Sequence, residues 1–382
     1  MKRKSIMFLS SFLLSVLFVI SFTSSVGAAP ASSRAKATGG VSPAKKNWQQ
    51  EWDQCIAGAK KEGRVVIASS IGPEVRSSLS KAFTGKYGIE VEFLQGKPME
   101  LAPKILAERR AGIFPIDLYI AGVGTIDNVL VPAGALELID DDLLLPEVLD
   151  RKAWWGGDLF WLDPDQHYHL MFLADPRYPI AINTNLVKND EIKSYRDLLN
   201  PKWKGKIAWS DPTLGGAGST AFIAMANLMD IKFLRDLGKQ EQVFTRDQRI
   251  HMEWVARGKY PIGIGVKEES VTEFVKAGAP VSWNPVVEGA FIAGQGIAKM
   301  KNAPNPNAAR VFLNWLLSKE GQIVASKAYG RQSAREDIPT DFLDKFMLRK
   351  PGVRYLRLDR IVAQRATEYF KTAQEMWGSS IK

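Results

Sequence analysis

Residues 65–93 read VVIASSIGPEVRSSLSKAFTGKYGIEVEF, and this stretch decides the fold class. Val65, Val66, Ile67 and Ala68 form a continuous apolar run rich in β-branched residues, the pattern of a strand buried on both faces. Ser69 and Ser70 end the run, and Gly72-Pro73 turns the chain. Val75, Leu79, Ala82 and Phe83 then recur on one helical face until Gly88 stops it. Ile89, Val91 and Phe93 alternate with Glu90 and Glu92, so a second strand follows at once. Another helix carries Leu101, Ile105 and Leu106, ends at Gly112, and leads to a third strand from Asp117 to Ala121. This alternation implies parallel strands joined by right-handed crossovers.

Outward from this core the rhythm starts again near residue 180. Strands are expected at Ile180–Asn183, Lys206–Ser210 and Ile262–Val266, with helices at Ser219–Leu237 and Val271–Lys276. A later helix places Ala308, Val311, Phe312, Trp315 and Leu316 at helical spacing, with Pro306 before it and Gly321 after it. Two similar α/β halves with a cleft between them follow from this repeat of architecture. Ligands of open parallel sheets sit beyond the carboxyl ends of the strands. Ser69, Ser70, Gly96 and Gly122 are therefore expected at one cleft.

The N-terminus carries Lys2, Arg3 and Lys4, an apolar run from Ile6 to Phe22, and small residues at Val26, Gly27, Ala28 and Ala29. That is the order of a cleaved signal peptide over 1–28, with an uncleaved anchor as the alternative. Residues 29–46, rich in Ala, Ser, Lys, Gly and Pro, read as a flexible tether. The net charge of +10 is spread along the chain, and three of its positive charges belong to the leader. No basic run carries interleaved aromatics, so nucleic acid is not an indicated partner. The single cysteine, Cys55, excludes an internal disulfide and reads as buried.

Gly215, Gly216, Ala217, Gly218, Ser219 and Thr220 stand between a strand and a helix, where free N–H groups and two hydroxyls suit an anion. An ordinary glycine turn with a serine cap is the competing reading. No lysine follows the glycines, which excludes a Walker loop, and Gly122-Val123-Gly124 lacks the third glycine of a dinucleotide fingerprint. His167 and His169 lack a third donor at metal spacing and read as structural. The triplet Asp140–Asp142 reads as a solvated turn. No nucleophile elbow or zincin motif occurs, so the chain reads as a binding protein without catalytic residues, metal or cofactor.

Several stretches resemble the type II periplasmic solute-binding proteins of ABC transporters, especially the ferric-ion-binding branch and its organic-solute relatives. They are Val65–Ser70, the helix to Ala82, Phe83, Tyr87 and Gly88, Gly134–Leu136, Asn183–Leu186, DLLNPKWKGKI over 197–207, and AARVFLNWLLSKEGQ over 308–322. The resemblance implies two lobes, each a mostly parallel sheet flanked by helices, joined by strands crossing near Ile180–Thr184 and Trp283–Phe291. Lobe one is expected to comprise 48–145 and 288–330, and lobe two 146–287 and 331–382. It also implies a monomer of the periplasm that closes on a small ligand and delivers it to a permease in the inner membrane. Relatives that hold ferric iron directly place paired tyrosines after the strand that ends here at Val266, where this chain has Glu268 and Glu269. The matching positions in lobe one, Gly72 and Ala121, offer no donor side chain. Arg249 and Gln248 align with the loop that helps hold an anion in those relatives, and an arginine there suits a carboxylate or phosphonate. The expected ligand is thus a small anionic or zwitterionic organic solute touching Ser69, Ser70, Gly96, Gly122, Ser219, Thr220, Arg249, Glu268 and Glu269. A ferric or chelated-metal ligand and a secreted hydrolase remain as alternatives.

Overall fold

The computed structural model describes residues 47–163, 167–188 and 190–381. The expected signal peptide and tether lie outside the described residues. In chain order the first elements are α1 (Trp48–Glu62), β1 (Arg64–Ser69), α2 (Pro73–Tyr87), β2 (Glu90–Gln95), α3 (Pro98–Arg110) and β3 (Leu118–Ala121). The single turn α4 (Val123–Thr125), β4 (Leu136–Glu137), the short α5 (Pro146–Leu149) and β5 (His169–Arg177) follow. Then come β6 (Ile180–Asn183), β7 (Ile207–Ser210), α6 (Ala217–Leu228), α7 (Ile231–Gly238), β8 (Val243–Thr245) and α8 (Gln248–Ala256). The chain continues through β9 (Ile262–Ile264), α9 (Glu268–Lys276), β10 (Val281–Trp283) and β11 (Ala290–Met300). It ends with α10 (Pro306–Leu317), α11 (Lys319–Tyr329), β12 (Tyr355–Arg357) and α12 (Leu358–Trp377).

Two sheets organise these elements. The first has the order β12-β11-β3-β1-β2, with β4 and β5 also paired to β11. Val65 and Ile67 of the interior strand β1 are fully buried, and β1 runs parallel to both β2 and β3, as the apolar run predicts. Gly63 and Gly88 end α1 and α2 in the left-handed conformation, which lets each helix turn into the next strand. The second sheet has the order β10-β6-β9-β7-β8. Both sheets are mixed rather than mostly parallel, because β11 runs against β3 and β5 while β6 runs against β9 and β10. The architecture is the two-sheet α/β fold that the sequence predicts.

The chain passes between the sheets at Tyr178–Pro179, from β5 to β6, and at Asn284–Gly289, from β10 to β11. Residues 169–177 thus belong to the first sheet, whereas the sequence reading assigned them to lobe two. Their charged end, Asp175 to Arg177, is buried in the structure because Asp175 Oδ2 stands 2.8 Å from Arg177 Nε and Asp175 Oδ1 2.7 Å from Arg331. Strand β12 likewise joins the first sheet through its parallel pairing with β11. The single helix expected over 219–237 is two, since Asp230 caps α7 by accepting the Phe233 N–H at 2.6 Å. The acidic triplet is not a solvated turn throughout: the Asp142 carboxylate lies 2.9 Å from Lys299 Nζ in a largely buried pair.

Helix α12 closes the second sheet. Trp377 sets its ring 5.0 Å from Trp209 and 5.7 Å from both Phe222 and Phe244. Tyr369 and Ala373 extend the same buried face. Deleting the indole removes the keystone of this cluster, so Trp377→Ala is expected to cost about 3–5 kcal/mol of stability. Chemical denaturation followed by circular dichroism measures it, and an unchanged midpoint would show that α12 is dispensable to the core.

Candidate functional site

The site is built where the carboxyl ends of β7 and β9 meet the crossing strands. Gly218, at the start of α6, lies so close to β7 that a Cβ there would stand 2.2 Å from Ser210 O. Gly265, at φ +70° after β9, would place a Cβ 2.7 Å from Gly218 Cα. Only a glycine pair lets backbone meet backbone here, and that contact seats the N-terminus of α6 over the end of β9. The Gly265 N–H donates to Pro179 O at 2.9 Å and so ties the crossing segment to the same point.

Beneath it lies a buried polar network. Ser210 Oγ accepts from Gln248 Nε2 at 2.8 Å and shares its one hydroxyl proton between Gly265 O at 2.7 Å and His251 Nδ1 at 2.9 Å. Gln248 Oε1 accepts the Lys267 N–H at 3.2 Å, and His251 Nε2 lies 3.2 Å from Ala208 O. With Nε2 donating to that carbonyl, Nδ1 is left as an acceptor and the ring is neutral. Burial pushes its pKa down to about 4, against the weaker opposing pull of the Ala208 carbonyl. The loop after β7 is pinned as well. Burial opposes ionisation of Asp211, but bonds from Thr213 and from Arg246 Nε at 2.8 Å outweigh it and hold the carboxyl below its usual range.

Above this base opens a cavity of about 370 Å³, lined among others by Arg177, Tyr178, Thr220, Val266, Lys267 and Phe291. Arg177 is only 7% exposed, with its Nε held by Asp175 at 2.8 Å. Lys267 is exposed and immediately precedes α9. The first N–H groups of α6 lack intrahelical partners, as at any helix start. Neither described cation of the wall is accompanied by an acidic side chain that itself lines the cavity. The described wall thus carries two cationic side chains, one of them paired with Asp175, beside the start of a helix.

The expected site residues divide. Thr220 lines the cavity and donates its hydroxyl to Gly216 O at 2.9 Å. Ser219 is turned inward, donating to Gly216 O at 3.0 Å and accepting from Gly216 N at 3.1 Å, so it caps the helix. Ser69, Gly96 and Gly122 stand at the ends of the parallel strands β1, β2 and β3, on one edge of the first sheet. Ser69 is buried with its Oγ taking the Ile71 N–H at 3.1 Å, while Ser70 is exposed. None of these four lines the cavity. Arg249 points to solvent and pairs with Glu253 at 3.2 Å along α8; its neighbour Gln248 is the one turned toward the site. Asp247 caps α8 through the N–H groups of Arg249 and Ile250, which fixes this choice of face. Glu268 and Glu269 open α9, and their side chains lie outside the described placements. Sequence reading missed Arg177 and Lys267; an arginine directly before a crossing strand was the available signal.

The two sheets, the double crossing and the cavity between them are those of a type II periplasmic binding protein. A profile of the bacterial extracellular solute-binding proteins matches residues 78–351, and the chain belongs to that family. It is 24% identical over 279 residues to an uncharacterised protein of Haemophilus influenzae, covering 70% of this chain and 77% of that one. Among solved structures it is similar to a Trichodesmium protein in complex with iron and citrate, with a TM-score of 0.67 and 21% identity over 82% of this chain and 99% of that one. It is also similar to the periplasmic binding protein AfuA of Actinobacillus pleuropneumoniae with fructose-6-phosphate bound. There the TM-score is 0.57, with 21% identity over 84% of this chain and 99% of that one.

The His251 network makes a pH prediction. The folded imidazole stays neutral down to about 4, whereas the unfolded one takes its proton near 6.5. Its contribution is therefore fully present above that upper value and is lost as pH falls toward the lower one, roughly 3 kcal/mol in all. In NMR titration the His251 ring is expected to show no midpoint between about pH 5 and 8, and a midpoint near the ordinary histidine value would contradict the network.

Proposed function

We propose that this protein captures a small anionic organic solute in the cavity beside Arg177 and Lys267 and presents it to an ABC importer. The observation that carries this reading is the cavity wall itself: two cationic side chains and the start of α6, with no acid among its described lining side chains. An anion there would gain charge-assisted bonds that a neutral solute cannot form. The ligand draws the two sheets together by touching both, and the crossings at Tyr178–Pro179 and Asn284–Gly289 act as the hinge. Ser69, Ser70, Gly96 and Gly122, across the cleft, meet the ligand in the closed form.

The reading places the mature chain in the periplasm as a monomer, released by cleavage after Ala28 and trailing a tether up to residue 46. It assigns the protein no catalytic step. The similar proteins in complex with iron and citrate or with fructose-6-phosphate bound both carry anionic organic ligands, which agrees with an anion receptor. Glu268 and Glu269, in place of paired tyrosines, argue against direct coordination of bare ferric iron.

A thermal-shift screen of carboxylates, phosphate esters, phosphonates, amino acids, polyols and sugars, with citrate tested with and without ferric iron, identifies the ligand class. The expected hits are organic anions. Calorimetry on the best hit should then find that Lys267→Ala weakens it by about 1.5 kcal/mol, roughly tenfold, while Arg249→Ala changes it by under about 0.5 kcal/mol. A neutral best ligand, or full affinity in Lys267→Ala, would refute the anion site.

A further inference from the structure

A second cavity, of about 460 Å³, lies on the other side of Arg177. Its wall combines Arg177, Arg331 and Lys276 with Glu273 and Asp344. Asp175, behind the wall, bonds Arg331 at 2.7 Å and Arg177 at 2.8 Å. With Asp175 counted at both cavities, the described residues leave one excess positive charge at the first and none at this one. Lys276, Glu273 and Asp344 are all exposed, and among the described residues none of them forms an ion pair. Lys276 and Glu273 sit on α9, while Arg331 follows α11 and Asp344 lies in the loop beyond. Charges of both signs therefore stand on one helix and across from it.

The remaining wall is suited to an apolar group. Met347 contributes a flexible thioether, a residue that adapts to varied shapes. Tyr329 packs its ring 6.2 Å from Phe172, and its hydroxyl is buried without a hydrogen-bond partner. Such an unpaired buried group costs about 1–3 kcal/mol, and it marks a place where a polar ligand atom would be stabilised. A net anion would leave Glu273 and Asp344 uncompensated here, and a net cation would do the same to Lys276. A molecule carrying one of each sign leaves neither.

We infer that this cavity is a binding site for a small zwitterion, a free α-amino acid with an apolar side chain. Its carboxylate meets Arg331, Lys276 and the Tyr329 hydroxyl, its ammonium meets Glu273 and Asp344, and its side chain lies against Met347. Arg177 forms a wall of both cavities. The inference does not rest on the anion site.

Calorimetry of the full mature protein with L-methionine, N-acetyl-L-methionine and L-methionine amide separates the two charges. L-methionine should bind saturably, with both blocked forms weaker by about tenfold or more. Glu273→Gln, an exposed position remote from the cores, should weaken L-methionine about tenfold, and Lys267→Ala in the first cavity should leave it unchanged. Equal binding of all three compounds would overturn the inference, as would sensitivity to Lys267→Ala in place of Glu273→Gln. So would the absence of saturable binding up to about 10 mM in a set that also includes leucine and valine.

Discussion

A contact without side chains governs this molecule: the backbone of Gly218 resting on that of Gly265. A helix can start directly over the end of a neighbouring strand only if neither residue carries a Cβ. Here that approach sets the N–H groups of α6 beside Lys267, brings Ser210 Oγ within reach of Gly265 O, and leaves Gly265 N–H for Pro179 O. The cavity, its polar base and the root of the crossing strand all depend on one pair of glycines. Alanine at either would force α6 outward, and the added strain of a positive φ makes Gly265 the less replaceable of the two.

The base is rigid and the crossings are narrow. Ser210, Gln248 and His251 bind β7, α8 and the segment after β9 into one piece. The second crossing is fastened in the same way, since Asn284 donates to Ile180 O at 3.0 Å and to Ile192 O at 2.8 Å, and the Tyr195 hydroxyl donates to Gly289 O at 3.2 Å. Hinge closure, on the proposed reading, requires bending to be confined to a few residues between bodies fastened in this way. The Asp175 carboxylate, fully buried between Arg177 and Arg331, lets a guanidinium be carried to the hinge without an unpaired charge in the core.

The parallel core was legible because strands buried on both faces must be apolar throughout, and 65–68 says so without ambiguity. The helix ends were legible through Gly63 and Gly88, whose left-handed conformation the structure shows. Strand β5 was not, since Asp175, Pro176 and Arg177 break its apolar run, and their burial is explained by the pairing of Asp175 with Arg177 together with a distant partner, Arg331. The division of 219–237 hid within continuous hydrophobicity, although Asp230 is a capping residue in plain sight. Thr220, which lines the cavity, was named from local composition, but Ser219 could not be told from it because both are hydroxyls on one turn. Arg249 was preferred to Gln248 by one residue, and on a helix one residue is a rotation of about 100°. Arg177 and Lys267 come together only through the crossing of chain segments, which no local pattern encodes.

The central claim, that the first cavity is a receptor for an anionic organic solute, is met most directly by mass spectrometry of the small molecules released when the purified protein is denatured. The account predicts an organic anion that is retained by the unmodified protein and depleted from Lys267→Ala. Release of a neutral or cationic solute, or of ferric iron with no organic partner, would contradict it.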